Sequence, residues 1–368
     1  MGTEVKRIVL SGYYGFGNSG DEAVLQSILI ALREEGERQG VKVEPVVLSI
    51  RPEQTAAMYG VETAHRMRFA EVSRALRECD GLISGGGSLL QDATGIKTIP
   101  YYLAVLAMAQ FYRKPTFIYA QGIGPVRRPL FYPFIRTIFN KCRYISVRDD
   151  ESAALLSRMG IDRSRIEVVP DPVMGLDLKE GTFRSNRSRP VVGVSVRFWN
   201  KDRSELDGIA ASLRLIAEQR PVSIRLLPFH LPDDTDASRY VIDRVGSLPG
   251  GSDIGIKEEA VHPQQMLAEV NDCDLLIGMR LHSLIYAATR HVPLIGISYD
   301  PKIDQFLHRL GLTVAASTER FDPDVVAREA LHYLDDPEGW RQETNNAIGR
   351  LQKQARQPAQ QIVSTCAY

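Results

Sequence analysis

Asp274-Leu275-Leu276-Ile277-Gly278-Met279-Arg280-Leu281-His282-Ser283-Leu284 passes from a short apolar strand through a glycine into an amphipathic helix continued by Ile285 and Ala288. A strand feeding a helix in this way is the building unit of a parallel, helix-covered sheet. At such a junction the strand end and the helix N-terminus form a crevice whose N–H groups point at an anion. Arg280 and His282, two residues apart at that point, mark the segment as an anion-handling site. Alone, the pair also fits a surface arginine beside an ordinary first-turn histidine.

A second junction lies near the start of the chain. The strand at 8–11 ends in Gly12-Tyr13-Tyr14-Gly15-Phe16-Gly17-Asn18-Ser19-Gly20-Asp21-Glu22, before a helix beginning near Ala23. Its four glycines allow backbone to approach a ligand, and Asp21 and Glu22 suit the positive end of a helix dipole. Gly15, Gly17 and Gly20 satisfy G-x-G-x-x-G, a weak signal when it stands alone. A dinucleotide site wants an acid directly after the second strand, where Val47-Leu48-Ser49 is followed by Ile50-Arg51-Pro52-Glu53. A nicotinamide-dependent dehydrogenase is therefore a poor fit, although Glu53 keeps it open.

Between these junctions strands alternate with helices. Strands are expected near 8–11, 42–48, 81–84, 116–120, 144–147 and 166–168, then near 191–196, 223–227, 275–277 and 294–297. The pattern lapses into polar, turn-rich sequence between 176 and 190, the best linker candidate. The expected fold class is α/β, with two Rossmann-like domains facing across a cleft, similar to the GT-B architecture of many sugar-handling transferases. Their expected bounds are 1–178 for the acceptor side and 190–335 for the donor side. A charged helix and tail, 336–368, could pack back on the first domain.

At 368 residues two domains are the prior, and Lys+Arg equals Asp+Glu at 45 each. No global field draws the chain to nucleic acid, so electrostatic recognition must be local. Cys79, Cys142, Cys273 and Cys366 show no zinc-like spacing and read as reduced thiols of a cytoplasmic protein. The N-terminus lacks the apolar core of a signal peptide, and no run approaches the ~20 apolar residues of a membrane span.

Other strand ends carry Ser84-Gly85-Gly86-Gly87-Ser88-Leu89-Leu90-Gln91-Asp92, Gln121-Gly122-Ile123-Gly124-Pro125 and Val147-Arg148-Asp149. With the two junctions above, this ordered set resembles the polysaccharide pyruvyltransferase family, most closely its bacterial cell-wall members of the CsaB type. The likeness covers nearly the whole chain. It implies transfer of a pyruvyl group from phosphoenolpyruvate to two sugar hydroxyls, releasing phosphate and leaving a cyclic ketal. It further implies a lipid-linked disaccharide acceptor for a secondary cell-wall polymer, of the kind that anchors S-layers, modified at the 4- and 6-hydroxyls of N-acetylmannosamine. In the family, Arg148, Arg280, Leu281 and His282 correspond to residues that serve the donor.

The chemistry accounts for these residue types. Phosphoenolpyruvate carries a carboxylate and a phosphate, and the planar fork of arginine suits both. A general acid working near neutrality is needed, and histidine, with an ordinary pKa of about 6.5, is the leading candidate. His282 would serve as that acid or as part of a phosphate clamp. Arg197, His230 and Lys302 stand after further second-domain strands and are candidates to complete the donor pocket; Asp233 and Asp234 follow His230. On the acceptor side the candidates are Gly17, Asn18, Gly20, Asp21, Gly86, Gly87, Gln91 and Asp92. Asp21, Asp92 and Asp149 compete as the base. No metal and no cofactor beyond the co-substrate phosphoenolpyruvate is expected.

Two other readings stay open: a GT-B nucleotide-sugar glycosyltransferase, and a carbohydrate-binding or sensing protein without catalysis. Residues 127–141 mix basic and aromatic side chains, as interfacial helices do. Peripheral attachment at the cytoplasmic leaflet is expected there, with a buried core helix as the alternative. The oligomeric state is not encoded legibly.

Overall fold

The computed structural model describes residues 4–92, 95–178, 187–257 and 262–366. Each apolar run followed by a helix becomes one strand of a parallel sheet, and the strands sort into two sheets belonging to two units.

The first unit holds residues 1–16, 21–176 and 351–368. Its succession is β1 (Glu4–Ser11), α1 (Ser19–Gln39), β2 (Val41–Ser49), α2 (Pro52–Tyr59), β3 (Glu62–His65) and α3 (Phe69–Glu78). It continues through β4 (Gly81–Gly85), α4 (Thr98–Phe111), β5 (Thr116–Gln121), α5 (Tyr132–Phe139), β6 (Tyr144–Val147), α6 (Asp150–Arg158) and β7 (Ile166–Val168). The sheet order is β3-β2-β1-β4-β5-β6-β7, so its direction of growth reverses between β1 and β4. Ile8, Val9 and Leu10 of β1 are buried, as expected of a strand covered on both faces.

The second unit holds residues 17–20 and 177–350. It comprises β8 (Val191–Ser195), α7 (Ser204–Gln219), β9 (Ser223–Leu226), α8 (Asp233–Val245), β10 (Asp253–Ile256) and α9 (Pro263–Asn271). After these come β11 (Leu275–Gly278), α10 (Leu281–Thr289), β12 (Leu294–Ser298), α11 (Pro301–Leu310), β13 (Ala316–Ser317) and α12 (Pro323–Asp335). The order β10-β9-β8-β11-β12-β13 reverses between β8 and β11. α13 (Pro337–Ala355) starts in the second unit and ends in the first, where α14 (Gln357–Cys366) packs on β5 and β6.

Three strands and three helices lie outside the sequence expectation. β3, β10 and β13 are short and carry little apolar pattern; α2 spans only eight residues, and α8 opens on the acidic run Asp233, Asp234 and Asp236, which obscures its apolar face. Of the turn-rich stretch expected as a linker, 179–186 lies outside the described residues. The expected interfacial helix is a 3₁₀ turn (Pro129–Phe131) followed by α5. Its Phe131, Ile135 and Phe139 are buried in the core of the first unit, so the segment as a whole does not lie free for a membrane. Among the described residues no helix is long and apolar enough to cross a bilayer.

Candidate functional site

In the second unit the decisive group is Arg280, the residue just before α10. Its Nε donates to Asp234 Oδ2 at 3.0 Å, and its Nη2 donates to Oδ1 of the same carboxylate. Asp234, in the first turn of α8, is wholly buried and also accepts the backbone N–H groups of Phe229 (3.1 Å) and His230 (2.9 Å). One carboxylate therefore binds the loop after β9 to the arginine after β11. A buried carboxylate is tolerated only with such company. This fork fixes the guanidinium as a pre-oriented cation at the sheet's reversal point, where open α/β sheets take ligands.

His282 lies in the first turn of α10, with its ring against the backbone of Gly20. A methyl group at Gly20 would come within 2.2 Å of His282 Nδ1. Gly17, Asn18 and Gly20, expected on the acceptor side, instead belong to the second unit. There Ser19 N–H donates to Phe229 O at 3.0 Å and Asn18 forms an antiparallel bridge with His230. The glycine-rich loop is thus divided by these contacts, and the missing side chain at Gly20 leaves room for the imidazole.

The remaining donor candidates sit on the same sheet edge. Arg197, after β8, donates to Tyr299 Oη at 2.9 Å, and its guanidinium carbon lies 4.8 Å and 5.2 Å from the ring centroids of Tyr299 and Trp199. His230 Nδ1 is 3.7 Å from Asp233. Lys302 opens α11, where its N–H is capped by Asp300. Leu281 is half-buried at the start of α10.

In the first unit, the loop Gly12–Phe16 after β1 meets the turn Gly85–Gly87 after β4 across that sheet's reversal point. Tyr14 Oη donates to Gly85 O at 2.8 Å, and Glu22 accepts Gly15 N–H at 2.8 Å and Tyr59 Oη at 2.8 Å. Burial raises the pKa of Glu22, an effect partly offset by these two hydrogen bonds. Gly86 and Gly87 adopt φ of 68° and 66°. A methyl group at Gly86 would overlap Val24 of α1, and one at Gly87 would stand 2.8 Å from Asp21 Oδ1. The turn therefore fits closely under the first turns of α1, with the Asp21 carboxylate beside it.

Arg148, after β6, is 8% exposed. Its Nη2 donates to Ser88 Oγ at 2.7 Å, and Asp171 and Asp149 stand 3.5 Å and 3.7 Å away. Asp149 also caps α6 through Ser152 N–H at 2.7 Å. Gln91 is half-buried beyond the glycine turn. Asp92, expected on the acceptor side, has a structural task as well: its two oxygens accept the N–H groups of Arg127 (2.8 Å) and Arg128 (3.0 Å) and hold that loop in place. Of the three candidate bases, Asp92 and Asp149 are engaged in backbone capping, and Asp21 lies beside the glycine turn.

Two further residues emerge only in three dimensions. Asp234 looks in sequence like one of two loop acids. Arg66, after β3, is buried, donates to Gly12 O at 2.7 Å and to Tyr102 Oη at 3.3 Å, and lies 4.4 Å from the Tyr101 ring centroid. Arg66 makes no ion pair among the described residues. It steadies the glycine loop as a cation walled by aromatic rings.

Residues 18–301 match the family model for polysaccharide pyruvyl transferase. The chain belongs to the polysaccharide pyruvyl transferase family. The family is one of transferases, and the matched region takes in the strand-end motifs of both units except residues 12–17 of the first glycine-rich loop. The chain is 22% identical over 288 residues to the amylovoran biosynthesis protein AmsJ of Erwinia amylovora, a match covering 69% of this chain and 65% of that protein, just under two thirds of its length. Among solved structures it is similar to the UDP-GlcNAc 2-epimerase of Methanocaldococcus jannaschii (TM-score 0.66, 13% identity, 99% of each chain). It is also similar to Anabaena HepE solved with UDP and glucose (TM-score 0.63, 13% identity, 98% of this chain and 99% of that one). At such identity these likenesses establish the fold alone, two parallel-sheet α/β units of the kind found in glycosyltransferases and epimerases.

Proposed function

We propose that this pyruvyl transferase takes its pyruvyl group from phosphoenolpyruvate and builds a cyclic ketal on two hydroxyls of a lipid-linked polysaccharide precursor. The reading rests above all on Arg280, a cation held by a buried carboxylate at the head of α10, two residues before a histidine. Arg280 grips one anionic end of the donor and Arg148 supplies a second cation. Arg197 and Lys302 add positive charge on the strand-end edge of the second sheet, and His230 stands with them.

His282 protonates the terminal carbon of the enol, making it a methyl group and leaving an oxocarbenium-like centre at the neighbouring carbon. One sugar hydroxyl attacks that centre and loses its proton to a base, for which our candidate is Asp21, whose carboxylate lies beside Gly87 of the glycine turn. The second hydroxyl then attacks the same carbon, the bond to phosphate breaks, and its proton leaves with the phosphate. No electron donor or acceptor is involved.

The acceptor we favour is N-acetylmannosamine, modified at its 4- and 6-hydroxyls, on a lipid-linked disaccharide of a secondary cell-wall polymer. A cytoplasmic site of action suits that reading, because phosphoenolpyruvate is a metabolite of that compartment. The test is to incubate the enzyme with phosphoenolpyruvate and a panel of lipid-linked and nucleotide-linked disaccharides, following phosphate release and the ketal by mass spectrometry. Thermal-shift screening of phosphoenolpyruvate against nucleotide sugars runs alongside. Stabilisation by a nucleotide sugar, with no phosphate released from phosphoenolpyruvate under any acceptor, would replace this reading with a glycosyltransferase.

A further inference from the structure

Five large apolar side chains stand out into solvent on one edge of the first unit: Met67 (64% exposed), Phe69 (71%), Ile96 (51%), Leu130 (60%) and Phe134 (59%). Met67 and Phe69 follow β3, Ile96 precedes α4 after β4, and Leu130 and Phe134 open the α5 region after β5. Because β3, β4 and β5 belong to one parallel sheet, segments after their ends emerge on one edge. α3, α4 and α5 pack side by side, so these segments are neighbours.

Hydrogen bonds tie the three segments together. Tyr101 Oη in the first turn of α4 donates to Arg66 O at 3.1 Å, next to Met67. Asp92, before α4, holds the N–H groups of Arg127 and Arg128, next to Leu130. Exposed cations are interleaved with the apolar tips: Lys97, Arg127, Arg128, and Arg68, which pairs with Glu71. Of the acids in these three segments, Glu71 pairs with Arg68 and Asp92 accepts backbone N–H groups. Lys97, Arg127 and Arg128 make no ion pair among the described residues, so these segments present cations beside their apolar tips.

We propose that this edge docks on an anionic lipid bilayer, the apolar tips entering the headgroup boundary and the arginines and Lys97 meeting lipid phosphates. Single apolar side chains on separate segments, each flanked by a cation, suit a soft, negatively charged interface into which each dips independently. The glycine turn Gly85–Gly87 follows β4 on the same edge, so a sugar carried on a lipid would reach it from the membrane surface. That last step rests on the proposed acceptor, whereas lipid binding is measured without any acceptor and stands or falls separately.

The test is flotation of the full chain with phosphatidylcholine vesicles, with and without ~30% phosphatidylglycerol, at low and physiological ionic strength. Binding is expected on the anionic vesicles, weakening with salt. Arg127→Gln with Arg128→Gln should weaken it about 25-fold, at about 1 kcal/mol per cation. Leu130→Ser with Phe134→Ser should weaken it by at least about ten-fold, while melting temperature and phosphoenolpyruvate affinity stay unchanged. Phe69→Ser, on a separate helix, provides the same readout should the double variant misfold. Absence of wild-type binding to anionic vesicles at low salt overturns the proposal, as does equal binding by all variants. A protein dimer lost in Leu130→Ser with Phe134→Ser, without vesicle binding, would assign the edge to a second copy instead.

Discussion

Two buried carboxylates do the same mechanical task in the two units with different partners. Asp234 and Glu22 each fasten a loop after a strand near the reversal point of its sheet, and both are almost wholly buried. Asp234 is neutralised by the Arg280 fork and two N–H groups. Glu22 has one N–H and one phenol, with no cation in ion-pair reach among the described residues, and burial raises its pKa. In the second unit the brace and the functional cation are one device; in the first the brace is independent of Arg148.

The largest effect should come from splitting the coupled pair. Arg280→Ala leaves a buried carboxylate uncompensated, which costs about 3–5 kcal/mol and should appear in a denaturant titration together with loss of pyruvyl transfer. Arg280→Ala with Asp234→Ala should recover most of the stability and none of the activity. Recovery of both would mean that Arg280 acts only as a brace.

Next in size is His282→Gln, which should retain phosphoenolpyruvate binding by calorimetry and lose about 10²–10⁴-fold in turnover. Gly20→Ala should lower turnover in the same direction by pushing the imidazole off its backbone seat. If His282→Gln instead loses donor binding as severely as turnover, the histidine is a phosphate clamp.

Arg148→Ala should follow, with a ten- to hundred-fold loss of donor affinity, worth about 1.5–3 kcal/mol for a charge-assisted hydrogen bond. Its carboxylate neighbours at 3.5 Å and 3.7 Å are looser than those of Arg280. Its stability cost should therefore fall well short of that of Arg280→Ala, and equal costs would erase the contrast.

The smallest effect is expected at Glu22. A carboxyl whose folded pKa is raised opposes folding when ionised, and that penalty is relieved as pH falls through the raised value. Glu22→Gln should thus match or slightly exceed wild-type stability at pH 7, and the difference should shrink on acidification. A strongly destabilised Glu22→Gln at pH 7 would show that the charge itself holds Gly15 and Tyr59.

The β11–α10 junction was legible because everything it needs is consecutive: apolar run, glycine, arginine, histidine. The α/β class followed from the same local grammar, and the family from the order of the strand-end motifs. Asp234 was not legible as a brace, since its partner lies 46 positions away and Asp233 beside it offers the same chemistry. Arg66 was invisible for a similar reason: its meaning comes from Gly12 and Tyr101, distant in sequence and uncharged. Asp92 shows a second use of one group that sequence does not reveal. An acid after a glycine turn suggests a ligand contact, and a tight loop with bare N–H groups draws on the same two oxygens.

The division of the glycine-rich loop bears on how this enzyme can be taken apart. Residues 17–20 belong with 177–350, so the chain changes unit at 16/17, 20/21, 176/177 and 350/351. Neither unit is a single cut of sequence. A fragment expressed as 177–350 would lack the N–H of Ser19 that meets the Phe229 carbonyl and the backbone floor beneath His282. Domain exchange between relatives would therefore have to carry this four-residue graft along with the second unit, or the hybrid would inherit a histidine whose seat was shaped for another protein.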